Sequence, residues 1–354
     1  MLETLHIRDH FLEQAEWCAA LGSPFTAGLM RYFAEDFEGQ GPVWRLCENW
    51  PGNPRKDALG LRLAGALHYA TLGGEAPHLQ VVYPAAKPDW DLSEIWPLAR
   101  DWLIENQNFV AAFITSPPQT NETRRSLILL PGLLEVAARF QQPLHLLELG
   151  ASAGLNQNLD QFSYVTTNWQ RAGSSEVHLS TEWQGPPPQF LDQPLKIASR
   201  AACDLNPIDL TDPDAVRRLT AYTWPDQADR LARLAAAIQL AQAQGTTVQR
   251  ANAANWLVDQ LAKRPRSGVT VVYHSVFLIY PPRSEIAAIM SALQAAGAEA
   301  TEEAPLAWLC YESEALFGGR RDTPKMQARL QIWPDGEAHT YAESDGHVTQ
   351  VKAL

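Results

Sequence analysis

The segment at residues 144–156, LHLLELGASAGLN, constrains the fold of this chain more than any other stretch of the sequence. Its first half is a short apolar run, which is typical of a strand buried on both faces of a sheet. Small residues follow at 150–154, and the pattern then predicts the beginning of a helix. This order opens an α/β domain, and small residues in the turn let a ligand approach the backbone closely. We therefore expect the segment to hold a small-molecule cofactor.

Composition and charge narrow the class of protein. The chain has 354 residues, of which 46% are hydrophobic and 19% charged, and these proportions allow a substantial buried core. A formal net charge of −12 opposes contact with phosphate backbones, so we expect no nucleic-acid partner. We see no signal peptide and no apolar run of about 18 residues, so we expect a cytoplasmic protein without a membrane span. The cysteines form no CxxC pair and the histidines lack metal-site spacing, so we expect no metal.

The periodicity of apolar residues changes near residue 143. Before it, apolar residues recur at helical spacing, apart from a short alternating run at 79–83. After it, short apolar runs alternate with helical patterns, which indicates a mostly parallel sheet. We predict a helical N-terminal domain at 1–130 and an α/β domain at 131–354, with an insertion at 163–195 and an antiparallel C-terminal hairpin. Strands are predicted at 144–150, 195–204, 247–252, 269–273, 304–311 and 328–333.

The turn at 150–154 is open to several interpretations. A dinucleotide-binding loop, G-x-G-x-x-G, needs glycines where Ser152 and Leu155 stand, so this pattern is disfavoured. The string G-x-S-x-G matches the nucleophile elbow of α/β-hydrolases, in which Ser152 would be the nucleophile and His274 the base. That fold places several strands before the elbow, whereas about 140 mostly helical residues precede it here. A plain strand–helix turn without a ligand is a further alternative.

Another pattern is the first motif of class I methyltransferases. The string ELGASAG resembles their acidic–apolar–Gly-x-Gly-x-Gly order, with Glu148, Gly150 and Gly154 in matching positions and Ser152 in place of the middle glycine. The resemblance implies that these four residues surround adenosylmethionine. A helix that begins after the turn would offer free N–H groups and a positive dipole end to the carboxylate of the cofactor.

Longer segments resemble a bacterial family of unknown function. They extend over most of the chain and read PQTNETRRSLILLPGL, LELGASAGLNQNLDQFSY, ACDLNPIDLTDP, AYTWPDQADRLARLAAAI, VTVVYHSVFLIYPP and EAPLAWL. That family looks like a divergent class I methyltransferase with a helical N-terminal extension. The resemblance implies a Rossmann-like, mostly parallel sheet and S-adenosylmethionine as the cofactor.

The implied fold also suggests how the cofactor would be held. A carboxylate at the end of the second strand would accept hydrogen bonds from both ribose hydroxyls. Asp204 is the best match, although it lies 50 residues after Gly154 (204 − 154), a spacing that the insertion must explain. Glu176 and Glu182 are alternatives for this ribose-binding role, and Asp204 could instead be a turn or cap residue. After the third strand, Asn252 would contact the adenine or would cap the following helix.

The fourth strand would deliver residues beside the transferred methyl group. His274 follows VTVVY directly, and its imidazole would either deprotonate a nucleophile or remain a hydrogen-bonded core group. Tyr280 would wall the pocket. The segment at 120–125 joins the predicted domains, where ligands often bind, so Asn121, Glu122 and Arg124 are candidate substrate-binding residues.

The sequence thus predicts an adenosylmethionine-dependent methyltransferase that acts on a small molecule, with His274 as the catalytic base or an orienting group. Two alternatives stay open. One is a serine hydrolase built on Ser152, and the other is a protein that binds the cofactor without catalysing a reaction.

Overall fold

The computed structural model describes residues 2–319 and 325–354, with side chains from residue 6 onward. The chain divides into two compact units. Unit 1 comprises Met1–Thr120 and Asp212–Ala235, and unit 2 comprises Asn121–Thr211 and Ala236–Leu354. The predicted α/β class is confirmed, because unit 2 contains a mostly parallel central sheet together with helices.

The described part of unit 2 contains both helices and strands, whereas the elements described in unit 1 are helices. The α-helices are α1 (Leu2–Ala20), α2 (Pro24–Glu38), α3 (Pro42–Cys47), α4 (Leu59–Gly73), α5 (Pro77–Gln80), α6 (Leu92–Glu105), α7 (Gln107–Ile114), α8 (Arg125–Phe140), α9 (Pro213–Ala221), α10 (Ala228–Ala243), α11 (Ala253–Ala262) and α12 (Arg283–Ala298). The strands are β1 (Leu144–Leu149), β2 (Ser163–Thr166), β3 (Gln170–Arg171), β4 (His178–Gln184), β5 (Ile197–Asp204), β6 (Gln249–Arg250), β7 (Val269–Ser275), β8 (Leu306–Ser313), β9 (Met326–Trp333), β10 (Glu337–Ser344) and β11 (Gln350–Ala353). Short 3-10 helices cover Leu155–Gln161 and Glu314–Phe317.

Helix α2 shows how local sequence builds unit 1. Ser23 accepts a hydrogen bond from the Thr26 N–H at 3.2 Å, and Pro24 occupies the first turn, where its missing N–H does no harm. Apolar residues at helical spacing, including Phe25 and Phe33, are fully buried in the core of this unit. Burial of such a stripe supplies most of the stability of a helix in a folded protein.

Two apolar patterns in this unit have a structure that the sequence alone does not determine. The alternating run at 79–83 is not a strand, because Pro77 begins the short helix α5 and a turn follows. The helical pattern from Leu98 to Phe113 is interrupted at Asn106, whose φ of −115° separates α6 from α7. Short apolar patterns do not distinguish a strand from a helical turn, or one helix from two.

The sheet of unit 2 runs in the order β3-β2-β4-β11-β10-β9-β8-β7-β1-β5-β6. The strands β6, β5, β1, β7 and β8 are parallel neighbours, and β9 and β10 add the predicted antiparallel hairpin. The segment at 163–195, which was predicted to be an insertion, contains β2, β3 and β4, and β4 pairs with β11. Strands β1 and β7 are buried almost throughout, as their continuous apolar runs predict.

The apolar core of unit 2 includes α11 and α12 together with the central strands. Leu257 and Leu293 from these helices are buried in one cluster with Leu149 and Val272. Among the described helices of the chain, none is both long enough and apolar enough to cross a membrane.

Candidate functional site

The carboxyl ends of the parallel strands in unit 2 form one edge of the sheet, which we call the carboxyl edge. Strand β1 lies between β5 and β7 in the sheet, and the chain passes from β1 to β5 and β6 on one side and then to β7 and β8 on the other. The strand order therefore reverses at β1. In open α/β sheets, ligands bind beyond the carboxyl ends of the strands at such a switch point.

The loop after β1, residues 150–154, is called here the β1 loop. Gly150 and Gly154 have φ angles of +66° and +74°, and Ser152 has +55°, so the loop uses the left-handed region repeatedly. A Cβ atom at Gly150 would lie 2.3 Å from Cδ2 of Phe277. Glycine is thus required at 150 for two reasons, the backbone conformation and the close approach of an aromatic ring.

The segment after the β1 loop corrects one prediction. A 3-10 helix at Leu155–Gln161 stands where an α-helix was expected, and Asn158 is non-helical within it. The first N–H of this segment, on Leu155, donates to Asn121 Oδ1 at 2.9 Å. This seven-residue 3-10 helix therefore gives a shorter and weaker dipole than the expected α-helix, and its first N–H is already paired.

Asp204 ends β5 and holds the β1 loop. Its Oδ2 accepts a hydrogen bond from the Ser152 N–H at 2.9 Å, and its Oδ1 accepts one from the Asn206 N–H at 2.8 Å. The alternatives, Glu176 and Glu182, lie in the insertion, and Glu182 is on β4, which is paired with β2 and β11. Of the three predicted carboxylates, Asp204 is the one that contacts the β1 loop.

Glu148, two residues before the β1 loop, is buried within the sheet with 3% of its surface exposed. Burial raises the pKa of its carboxyl group to about 8, opposed by the hydrogen bond from Tyr273 and assisted by the charge of Asp204. Tyr273 donates from its hydroxyl to Glu148 Oε2 at 3.1 Å. The side chain is therefore mostly protonated at neutral pH.

His274 lies in β7, and its position differs from that predicted for a base. The ring is fully buried, and Trp308 Nε1 donates to its Nε2 at 3.0 Å. The proton must then be on Nδ1, which donates to Glu312 Oε1 at 2.7 Å. Because both ring nitrogens are engaged by the protein, neither is free to take a proton from a substrate in this geometry.

The hydrogen bonds of His274 also argue against the hydrolase interpretation. Ser152 Oγ is buried and has no hydrogen-bond partner among the described residues, while the ring nitrogens of His274 are bonded to Glu312 and Trp308. A nucleophilic serine needs a base within hydrogen-bond reach. The described arrangement supplies none for Ser152.

The segment from Ser275, the last residue of β7, to Pro282 is called here the β7 loop, and sequence reasoning missed the residue that anchors it. Glu312 on β8 is fully buried, and its Oε1 accepts hydrogen bonds from the N–H groups of Phe277 and Leu278 at 2.8 and 3.2 Å. The signal in the sequence was an acidic residue inside the apolar strand LAWLCYES. A buried acid in a strand requires partners, and these lie about 35 residues away in sequence.

Asn252 has the position that its alternative interpretation predicted. It precedes α11 as the N-cap, and its Oδ1 accepts a hydrogen bond from the Asn255 N–H at 3.2 Å. It also follows β6 at the outer end of the carboxyl edge. The contact with adenine stays a prediction.

The residues predicted at 120–125 are mostly structural in the described geometry. Asn121 caps the 3-10 helix, and the buried Glu122 accepts from the Arg124 N–H at 3.1 Å. Arg125, which was not singled out, donates from Nη1 to the Ser275 carbonyl at 3.1 Å and so reaches the β7 loop.

Tyr280 lies near the tip of the β7 loop and is 77% exposed. It does not wall a closed pocket within the described part of unit 2.

The family of the chain follows from its sequence. The profile of a family described as "Uncharacterized protein conserved in bacteria (DUF2332)" matches residues 8–352. The chain belongs to this family. The predicted resemblance to a bacterial family of unknown function is thereby confirmed, while the methyltransferase likeness of DUF2332 stays a prediction. No curated protein and no solved structure matches the chain.

Proposed function

We propose that this member of the DUF2332 family binds S-adenosylmethionine at the carboxyl edge and transfers its methyl group to a small-molecule acceptor. One observation carries the proposal: the β1 and β7 loops leave neighbouring strands where the strand order reverses, and Phe277 packs against Gly150 there. Ligands bind at such points in open α/β sheets. The methyltransferase-like motif at 148–154 supports the choice of cofactor.

The residues present fit the chemistry of this cofactor. Asp204 uses one acceptor position on each oxygen for Ser152 and Asn206, and a carboxylate has about four, so two remain for the hydroxyls of a ribose. A neutral Glu148 adds no negative charge beneath the β1 loop that would oppose the cofactor's carboxylate.

The residues of the carboxyl edge would promote the reaction by aligning the methyl donor with the acceptor. Bound adenosylmethionine supplies an activated methyl group, and the protein has to hold donor and acceptor in line in a dry site. Asp204 would orient the ribose, and Phe277 would cover the β1 loop against water. Arg125, by binding the Ser275 carbonyl, fixes the beginning of the β7 loop.

Isothermal titration calorimetry with adenosylhomocysteine tests the cofactor. We expect wild-type protein to bind, and Asp204→Asn to weaken binding by about tenfold or more, because a charged acceptor contributes roughly 1.5–3 kcal/mol. Asp209→Asn is the matched control: this carboxylate lies in the same segment but accepts its hydrogen bonds from Thr211. An absence of binding heat up to millimolar ligand would refute the proposal.

The serine-hydrolase alternative is tested by a separate experiment. Labelling of the wild-type protein by a fluorophosphonate probe, lost in Ser152→Ala, would favour the hydrolase over the methyltransferase. We expect no such labelling, since Ser152 Oγ has no base beside it among the described residues.

A further inference from the structure

A single carboxylate oxygen holds the β7 loop. Oε1 of Glu312 accepts three hydrogen bonds: from His274 Nδ1 at 2.7 Å and from the backbone N–H groups of Phe277 and Leu278 at 2.8 and 3.2 Å. The other oxygen, Oε2, is buried and has no hydrogen-bond partner among the described residues. This unequal use of the two oxygens shows that the carboxylate is oriented toward the loop.

The β7 loop needs such an anchor because its backbone is strained. Val276 has a φ of +52°, in the left-handed region that β-branched residues avoid. Strained residues of this kind persist only where the surroundings over-determine them, and they concentrate at functional sites. Three consecutive backbone hydrogen bonds constrain Val276. The Val276 N–H donates to the Tyr311 carbonyl at 2.8 Å, and the next two N–H groups donate to Glu312.

The orientation of Glu312 depends in turn on His274. The indole N–H of Trp308 occupies Nε2 of the imidazole, so the ring presents its Nδ1 proton to Glu312. A relay from Trp308 through His274 to Glu312 therefore selects the tautomer and the carboxylate rotamer that the loop requires.

The loop so fixed reaches the β1 loop. Phe277 packs its ring on Gly150, so closely that a Cβ atom there would clash at 2.3 Å. Beyond it, at the tip of the loop, Ile279 and Tyr280 are 52% and 77% exposed, so both side chains are accessible to a ligand. The position of Phe277 over the β1 loop is thus set by an acid on a different strand.

We infer that Glu312, oriented by His274, is a positioning residue that fixes the β7 loop over the cofactor site and thereby controls how long the cofactor stays bound. The second half of this inference rests on the proposed function. The first half concerns the free protein and can fail or hold independently.

Hydrogen–deuterium exchange of the free protein tests the first half. In Glu312→Ala, we expect the amides of Phe277 and Leu278 to exchange about tenfold faster or more, because each loses its acceptor. In Glu312→Gln, which keeps an acceptor oxygen, exchange stays within about threefold of wild type. Glu337→Ala, an exposed glutamate of β10, is the control for a nonspecific effect. Unchanged exchange in Glu312→Ala would overturn the inference.

Dissociation of adenosylhomocysteine, followed by stopped-flow tryptophan fluorescence, tests the second half. We expect adenosylhomocysteine to dissociate about tenfold faster from Glu312→Ala than from wild type, with a small change in the association rate. Glu312→Gln should restore slow dissociation. Trp308→Phe should give an intermediate rate, since it frees Nε2 of His274 without removing Glu312. Equal impairment of the Ala and Gln variants contradicts a positioning role.

If the wild-type protein binds no adenosylhomocysteine, the proposed function and the control of residence time both fail, and the exchange experiment still decides the role of Glu312 in the free protein.

Discussion

The β1 loop and the β7 loop meet at the switch point of the same sheet, but they are stabilised differently. The β1 loop has glycines at two of its three left-handed positions, Gly150 and Gly154, so most of its left-handed backbone is adopted without strain, and Asp204 of the neighbouring strand holds the third at Ser152. The β7 loop has Val276 in the left-handed region and depends on Glu312, a residue of the next strand. A glutamate is buried beside each loop, but Glu148 accepts from a tyrosine hydroxyl, whereas Glu312 has three donors on one oxygen.

The two loops therefore differ in how much backbone strain each one holds. A loop in which glycines occupy most of the left-handed positions adopts that backbone at little conformational strain, so its shape depends less on a distant anchor. A loop with a strained β-branched residue keeps its shape only while its anchor is in place. Substitutions in and near the two loops test that distinction.

Glu148→Gln should change the pH dependence of stability most. Burial raises the folded-state pKa of Glu148 from an ordinary 4.5 to about 8, so its stabilising contribution is full below pH 4.5 and is lost as the pH rises to 8. Relative to wild type, we expect the variant to gain up to about 4 kcal/mol between these pH values. Urea unfolding at pH 4.5, 6 and 8 measures this, with the exposed Glu176→Gln as the control. A parallel pH profile in wild type and Glu148→Gln would contradict the buried, protonated carboxyl.

Gly150→Ala should destabilise unit 2 by about 3 kcal/mol, since it combines a left-handed backbone with a clash against Phe277. Gly245→Ala separates the two causes, because Gly245 has a φ of +63° but nothing within 4 Å of where a Cβ atom would lie. We expect this control to lose about 1 kcal/mol. Phe277→Ala in the Gly150→Ala background should recover the steric part, and an additive double mutant would show that the two residues do not touch.

Val276→Gly should raise the free energy of unfolding by about 1 kcal/mol, because relief of strain exceeds the added entropy of the unfolded chain. In a Glu312→Ala background the gain should nearly disappear, since a loop without its anchor relaxes out of the strained conformation. Denaturant titration of the four proteins gives the coupling free energy. An equal gain in both backgrounds would mean that Glu312 does not hold the strain.

Ser152→Gly should have the smallest effect, a gain of roughly 0.5 kcal/mol. It removes a left-handed non-glycine residue and a buried hydroxyl without a described partner. Unlike Val276→Gly, it should give the same gain in the Glu312→Ala background. Thermal unfolding of the single and double variants is sufficient to measure this, and a clear loss of stability would indicate that the hydroxyl has a structural partner.

The sequence predicted the β1 loop and its neighbour Asp204 because their constraints are local. A buried apolar run, small residues and a strand-ending acid are visible in one segment at a time. The helix after the loop was mispredicted because tertiary hydrogen bonds compete with it. Asn156 accepts from Ser126 at 2.8 Å, and Asn158 donates to Thr246 at 2.9 Å, both over long sequence distances.

The β7 loop could not be predicted in the same way. His274 was identified from its place at a strand end, but its chemistry depends on Glu312 and Trp308, which are contributed by another strand. Arg125 was overlooked beside Arg124 because a single sequence does not show which of two adjacent arginines faces the sheet. Contacts between distant segments, rather than residue types, separate these roles.

Hydrogen–deuterium exchange of the wild-type protein with and without saturating adenosylhomocysteine tests whether the cofactor binds at the switch point of the sheet. If the cofactor site lies at the switch point, peptides covering 150–156, 204–208 and 276–280 should be protected together, while peptides from β2, β3 and β4 should be unchanged. Protection of the insertion alone, or no protection in either loop, would contradict a cofactor site between the β1 and β7 loops.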